Sequence, residues 1–155
     1  MAGTIDAKLT ELGLELPAVA APAGSYVGYV ISGNQIFVSG QIPFWNGDVK
    51  FKGKVGTDYS IEEGQEAARV CSLNIIAQVK DALGGDLDRV TKVVKLGGFV
   101  NCPPDFEGHP MVINGASELI GAVFGEKGRH ARFAMGAGSL PFNVAVEIDA
   151  VIEFS

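Results

Sequence analysis

The chain has 155 residues, 47% of them hydrophobic and 19% charged, with a formal net charge of −6. That length fits one domain able to bury most of its apolar surface, and an acidic chain without a basic run lacks the clustered Lys and Arg on which nucleic-acid binding draws. Sparse charge on so apolar a chain leaves room for a subunit interface.

The first residues show no basic flank followed by an apolar h-region, and no segment approaches the roughly 20 apolar residues of a membrane span, so the expected location is cytoplasmic. Thr4 is a candidate N-cap for a short amphipathic helix over 4–12, with Ile5, Leu9 and Leu12 at helical spacing and Gly13 as its stop. The Pro-, Ala- and Gly-rich ELPAVAAPAGS reads as a structural connector laid over the body. Residues 1–17 are thus expected to form a short extension and 18–155 a single domain. The β-rich runs 26–31 and 35–39 flank Ser-Gly-Asn, which signals a hairpin because Gly and Asn tolerate positive φ. Gly40 at the end of the second run marks a bulge, a turn or a close approach of backbone or ligand. Residues 45–59 form an irregular loop with a small β excursion.

Ser60 opens the strongest helix signal, because Glu63 completes a capping box and Gly84-Gly85 supplies the stop. Asp86 and Asp88 read as turn chemistry, since two acids without further ligands do not make a metal site. A long strand over 90–100 is expected to carry Val90, Val94, Leu96 and Val100 on one face and Val93, Gly97 and Phe99 on the other. Asn101 to Pro104 breaks it. Cys71 on the helix and Cys102 in this loop form no C-x-x-C and no metal-ligand spacing, so both read as inert thiols. Pro110 suits the first helical position of a helix reaching about Phe124, with Asn114 inside it.

The stretch RHARFAMGAGSLPFNVAVEIDA closes the chain's chemistry. Val144, Val146, Ile148, Ala150, Ile152 and Phe154 alternate with Ala145, Glu147, Asp149, Val151 and Glu153, the period of a strand with one buried face. A shorter strand over 130–137 and the turn formers Gly138, Ser139 and Pro141 suggest an antiparallel hairpin. In its unbulged register Ala137 faces Phe142, and Arg132 sits opposite Glu147. By itself such a pair reads first as a cross-strand salt bridge of small energetic weight. The order β-β-α-β-α-β-β gives an α+β sheet with two main helices on one face. The other face, with Phe99, Val93 and Val151 beside Arg132 and Glu147, is too apolar for water and too polar for a core. A subunit interface containing a polar pocket resolves that conflict.

Four segments, GSYVGYVISGNQIFVSGQIP, IEEGQEAARVCSLNI, VTKVVKLGGFV and HARFAMGAGSLPFNVAVEIDAVIEF, resemble in order and spacing the RidA/YjgF family of reactive enamine/imine deaminases, also labelled endoribonuclease L-PSP. The resemblance runs from about residue 18 and points to a divergent, longer branch. It implies a chorismate-mutase-like α+β subunit assembled as a homotrimer with ligand pockets between subunits. It further implies catalytic roles for Arg132, as a fork for the substrate carboxylate, and for Glu147, which positions water or the reacting nitrogen. Tyr26 resembles the aromatic that closes the pocket, Gly40 the glycine whose backbone nears the ligand, Asn114 the helix asparagine beside it, and Ala134 the residue whose amide assists the arginine.

The implied reaction is hydrolysis of 2-aminoacrylate and 2-imino acids to 2-oxoacids and ammonia, with no cofactor and no metal, through orientation and charge placement. A trimeric binder or sensor of small carboxylates such as 2-oxoacids is the second reading. The ribonuclease of the family label is the third, and no basic groove or aromatic-basic pattern for RNA accompanies it. Phe133, Ala134 and His130 stand where the deaminases commonly carry serine, cysteine and proline, which leaves pocket shape and substrate preference open. His130 shares a strand face with Arg132.

Overall fold

The computed structural model describes residues 3–155, with elements in the order α1 (Thr4–Glu11), β1 (Tyr29–Ser32), β2 (Gln35–Gln41), β3 (Phe44–Trp45), β4 (Asp48–Val49), α2 (Ile61–Ala82), β5 (Val90–Asn101), α3 (His109–Phe124), β6 (Ala131–Ala137) and β7 (Val146–Phe154). Five strands make one sheet in the order β1-β2-β7-β5-β6, and β3 with β4 makes a separate ribbon. Helices α2 and α3 cover one sheet face. Their apolar stripes meet Ile36, Val38, Val93, Leu96, Ile148 and Ile152 in one buried cluster. The expected α+β sheet with two helices on one face is therefore present.

Local chemistry explains the helix ends. Ser60 Oγ accepts from Glu63 N at 3.1 Å while Glu63 Oε1 accepts from Ser60 N at 3.1 Å, the reciprocal capping box that starts α2. The helix stops where Gly84 and Gly85 take φ of 65° and 98°, a region open to glycine without steric cost. For α1 the expectation needs correction, since its N-cap is Gly3 and Thr4 is already helical. The capping acceptor arrives from across the fold, where the Asp88 carboxylate accepts from Thr4 N and Ile5 N at 2.8 Å each. An acid that looked like simple turn chemistry thus ties α1 to the body.

Strand β5 also departs from the expected pattern. Its pairing with β7 shifts register between Val90 and Lys92 and again between Val93 and Lys95. Each irregularity reverses the side-chain parity, so Val93 is fully buried beneath the helices with Val90 and Leu96. Val93 does not lie on the open face.

The expected hairpin between the last two strands does not form. Strand β6 runs parallel to β5 with Arg132 opposite Leu96, whereas β7 runs antiparallel to β5 with Glu147 opposite Phe99. The physical reason is the β5-α3-β6 unit, a helical crossover that sets its two strands side by side and parallel. The chain then crosses the end of β5 before entering β7. Asn101, fully buried, fastens that crossing: its Nδ2 donates to Val144 O at 3.0 Å and to Asn143 Oδ1 at 3.3 Å, and its backbone N donates to Ala145 O at 2.8 Å. Lys54 Nζ donates to Asn101 Oδ1 at 2.7 Å and to Gly138 O.

The consequence is decisive for the site. Leu96 is in the core, so Arg132 opposite it faces the helix layer, while Glu147 shares the uncovered face with Phe99. That face is mostly apolar, with Val30, Phe37 and Met135 exposed and the Phe99 and Phe133 rings edge to face at 5.3 Å, and it also carries Asp149 and Lys95, the latter over the Phe133 ring.

Candidate active site

Two clusters of polar groups flank the sheet. The first surrounds a cavity of about 570 Å³, lined by Tyr26, Gly40, Gln41, Gln78, Phe142 and Glu147 together with the connector residues Ala20 to Ala23. A register shift between Val38 and Gln41 kinks β2 there and brings Gly40 against Glu147. A Cβ on Gly40 would lie 2.5 Å from Glu147 Oε2, so the close approach admits only glycine without displacing the carboxylate. The connector is a wall of this cavity, held by Gln78 Nε2 donating to Ala20 O at 3.1 Å and by Ala18 N donating to Asn46 Oδ1 at 2.8 Å. Phe142, with φ of 55°, stands exposed at the rim.

The carboxylate of Glu147 is half-buried, and it has no hydrogen-bond or ion-pair partner among the described residues. Burial pushes its pKa above the ordinary value and the nearby Asp149 charge adds to the shift. Behind it, burial drives the Cys71 thiol well up, and the Glu147 charge adds. Cys71 is fully buried and its thiol donates to Val146 O at 3.6 Å, the environment of an inert core cysteine.

The second cluster lies where β6 meets α3. Arg132 Nη1 donates to Ser117 Oγ at 3.1 Å and Nη2 donates to Pro110 O at 3.0 Å. No carboxylate lies within 4.0 Å of this guanidinium among the described residues. Asn114 is half-buried on the same helix, four residues from Pro110 and three from Ser117, and so shares their stripe. Ala134 follows on the same face of β6, opposite Gly98. His130 closes the cluster, with Nε2 2.8 Å from Ser117 Oγ.

Of the residues the sequence singled out, Tyr26, Gly40 and Glu147 therefore gather in the cleft, and Arg132, Asn114 and Ala134 gather at the β6 edge. Within the chain the two groups do not meet, because Glu147 on β7 and Arg132 on β6 are two strand spacings apart, about 10 Å, and point to opposite faces. Sequence reasoning missed Gln78 and Ser117. Their signal was available: Gln78 is polar on an otherwise buried face of α2, and Ser117 has helical spacing to Pro110 and Asn114. Among the described residues no group of three or more His, Cys, Asp and Glu could hold a metal ion, and no helix is long and apolar enough to cross a membrane.

A five-stranded sheet backed by two helices, with an unpaired carboxylate in a cleft on one side and a guanidinium without a counter-ion at the other edge, defines an α+β fold of the chorismate-mutase-like class. The chain belongs to the family described as "YjgF/chorismate_mutase-like, putative endoribonuclease", whose sequence profile matches residues 6–153. It is 51% identical over 154 residues to Protein TCP17 of Trypanosoma cruzi, covering 99% of this chain and 96% of that one. Among solved structures it is similar to a protein of unknown function from Agrobacterium tumefaciens, with 50% identity, a TM-score of 0.91 and coverage of 97% of this chain and 92% of that one. It is likewise similar to a "putative endoribonuclease" from Shewanella oneidensis, with 38% identity, a TM-score of 0.94 and coverage of 98% and 100%.

Proposed function

We propose that the protein hydrolyses reactive 2-imino acids, and the 2-aminoacrylate-type enamines that tautomerise to them, to 2-oxoacids and ammonia, at sites shared between the subunits of a homotrimer. The observation that carries this reading is the pairing of opposites: Glu147 is a half-buried carboxylate with no partner, and Arg132 is a fixed guanidinium with no counter-ion. One small ligand cannot reach both within one subunit. A neighbouring subunit that offers its β6 edge to the cleft completes the site, and the apolar uncovered face of the sheet supplies the contact area.

In the shared site Arg132 holds the substrate carboxylate through its three uncommitted N–H groups, supported by the Ala134 amide. That clamp presents the imine carbon to water. Glu147 takes a proton from the water that attacks the protonated imine as the C–O bond forms, returns it to nitrogen, and accepts the remaining hydroxyl proton as the carbonyl forms, the C–N bond breaks and ammonia leaves. Burial raises its pKa, which favours the protonated form that returns the proton. Tyr26 and Phe142 at the rim, with Gly40 and Asn114 beside the ligand, shape the pocket.

A second reading, a trimeric binder of small carboxylates, draws support from Phe133 and Ala134, which put no reactive side chain beside Arg132. It requires Arg132 and leaves Glu147 dispensable for binding. The deciding experiment follows 2-oxoacid and ammonia release from freshly generated 2-imino acids of short and bulky side chain. Acceleration by wild type that disappears in Arg132→Ala and Glu147→Ala is the expected result. No acceleration over buffer for any imine, together with 2-oxoacid binding that needs only Arg132, leaves the binder as the function.

A further inference from the structure

The acceptors behind Arg132 define a directed chain of hydrogen bonds. A guanidinium only donates, so Ser117 Oγ accepts from Nη1 at 3.1 Å. A carbonyl only accepts, so His130 Nδ1, 2.6 Å from Gly128 O, carries the ring proton. In the neutral imidazole Nε2 is then a bare acceptor, and the Ser117 hydroxyl, 2.8 Å away, donates to it. With the ring in that form, every hydrogen from Arg132 through Ser117 and His130 to Gly128 has one direction.

A serine inside a helix ordinarily returns its hydroxyl to the carbonyl one turn back. Ser72 in α2 does so, donating to Ala68 O at 3.0 Å. Ser117 instead spends its hydroxyl on His130 and its lone pair on Arg132, joining α3 to the start of β6. With the hydroxyl hydrogen drawn toward Nε2, the Oγ lone pairs are left facing Nη1. The Pro110 carbonyl holds Nη2 in the same way, so the two anchors fix the plane of the guanidinium and leave its remaining N–H groups for a ligand.

We propose that Ser117 and His130 are positioning residues that orient Arg132 for the carboxylate of a 2-oxoacid or 2-imino acid. The inference rests on the carboxylate-binding reading of Arg132 given above. Loss of the Ser117 hydroxyl leaves the arginine on the Pro110 carbonyl alone, free to rotate out of the plane the carboxylate needs. Loss of the His130 acceptor lets the hydroxyl turn toward other partners, a smaller perturbation.

The test is titration calorimetry of the full chain with 2-oxobutanoate, alongside ¹⁵N NMR of the imidazole rings. Arg132→Ala is expected to abolish binding, Ser117→Ala to weaken it about tenfold, the size of one hydrogen bond to a charged group, and Ser117→Thr to restore it. His130→Phe is expected to weaken binding about threefold. In wild type the His130 ring should show a protonated Nδ1 and a bare Nε2, with the tautomer balance shifting in Ser117→Ala. Wild-type affinity in Ser117→Ala, failure of threonine to rescue, or a ring protonated on Nε2 overturns the proposal. Binding that survives Arg132→Ala, or is absent from wild type, removes the carboxylate reading itself and the positioning role with it.

Discussion

The cleft around Glu147 and the edge around Arg132 treat a charge in opposite ways. In the cleft a half-buried carboxylate accepts no hydrogen bond among the described residues, and burial raises its pKa. At the edge a guanidinium is held by a hydroxyl and a carbonyl and has no counter-ion. A group that must exchange protons is better left without partners that fix its charge state. A group that must recognise a planar anion is better held in one orientation. The two environments are complementary, and β5 keeps Arg132 on β6 apart from Glu147 on β7.

The largest effects are expected where one charge is removed and the other kept. Arg132→Ala and Glu147→Ala are each expected to lower imine hydrolysis about 100-fold. On the proposed trimer, co-refolding the two variants should recover about a quarter of the wild-type sites, because each shared site would draw one residue from each neighbour in a random mixture. A mixture as inactive as its components would remove the shared site. Asn101→Ala attacks the crossing that separates the halves, leaving Lys54 and the Val144 carbonyl without their buried partner. A loss of about 2–3 kcal/mol in urea unfolding is expected. Gly40→Ala perturbs the Glu147 side alone, since its Cβ meets the movable end of the carboxylate. Turnover should fall about tenfold while the unfolding midpoint stays near wild type, and a wild-type rate would separate Glu147 from Gly40.

The pH dependence of stability has a definite sign. Glu147 has a raised folded-state pKa, so below its ordinary value of 4.5 both states are protonated and the group contributes nothing. As pH rises past 4.5 and through the raised value, ionisation costs the folded state more than the unfolded one. Glu147→Gln should therefore raise the urea midpoint at pH 7 and leave it unchanged well below 4.5. A midpoint raised equally at both ends would trace the gain to packing. The smallest effect belongs to Asp88→Ala. The backbone N–H groups of Ile5 and Thr4 hold the Asp88 carboxyl below its ordinary range, a contribution present at neutral pH and lost as pH falls through the lowered value. Faster amide exchange at Thr4 and Ile5 is expected, with the global midpoint and both halves of the site unaffected.

What could be read from the residues differs sharply between neighbouring features. The Ser60-Glu63 box, the Gly84-Gly85 stop, the Pro110 start of α3 and the alternation through β7 were legible because each acts within a few residues. Arg132 and Glu147 were legible as unusual charges in apolar strands and by family resemblance, but their relation was misread. The hairpin register assumed that strands adjacent in sequence are adjacent in space, and the parallel crossover through α3 put β5 between them. Val93 was assigned to the wrong face because two register shifts in β5 leave no mark in composition. Asp88 was read as turn chemistry only, and Ser117 was passed over, because their partners lie far along the chain.

Local signals in the sequence were enough for the ends of α2 and α3, the buried face of β7, the family, and the residue types available to a site, since capping, periodicity and motif spacing act over a few residues. The cap of α1, by contrast, comes from Asp88 across the fold. Tertiary structure alone decided which strands are neighbours, which side of the sheet each charge faces, and that Arg132 is held in place while Glu147 is left unpaired. Those outcomes depend on strand order and bulges, where one crossover or one extra residue moves a side chain to the opposite face without altering any local signal.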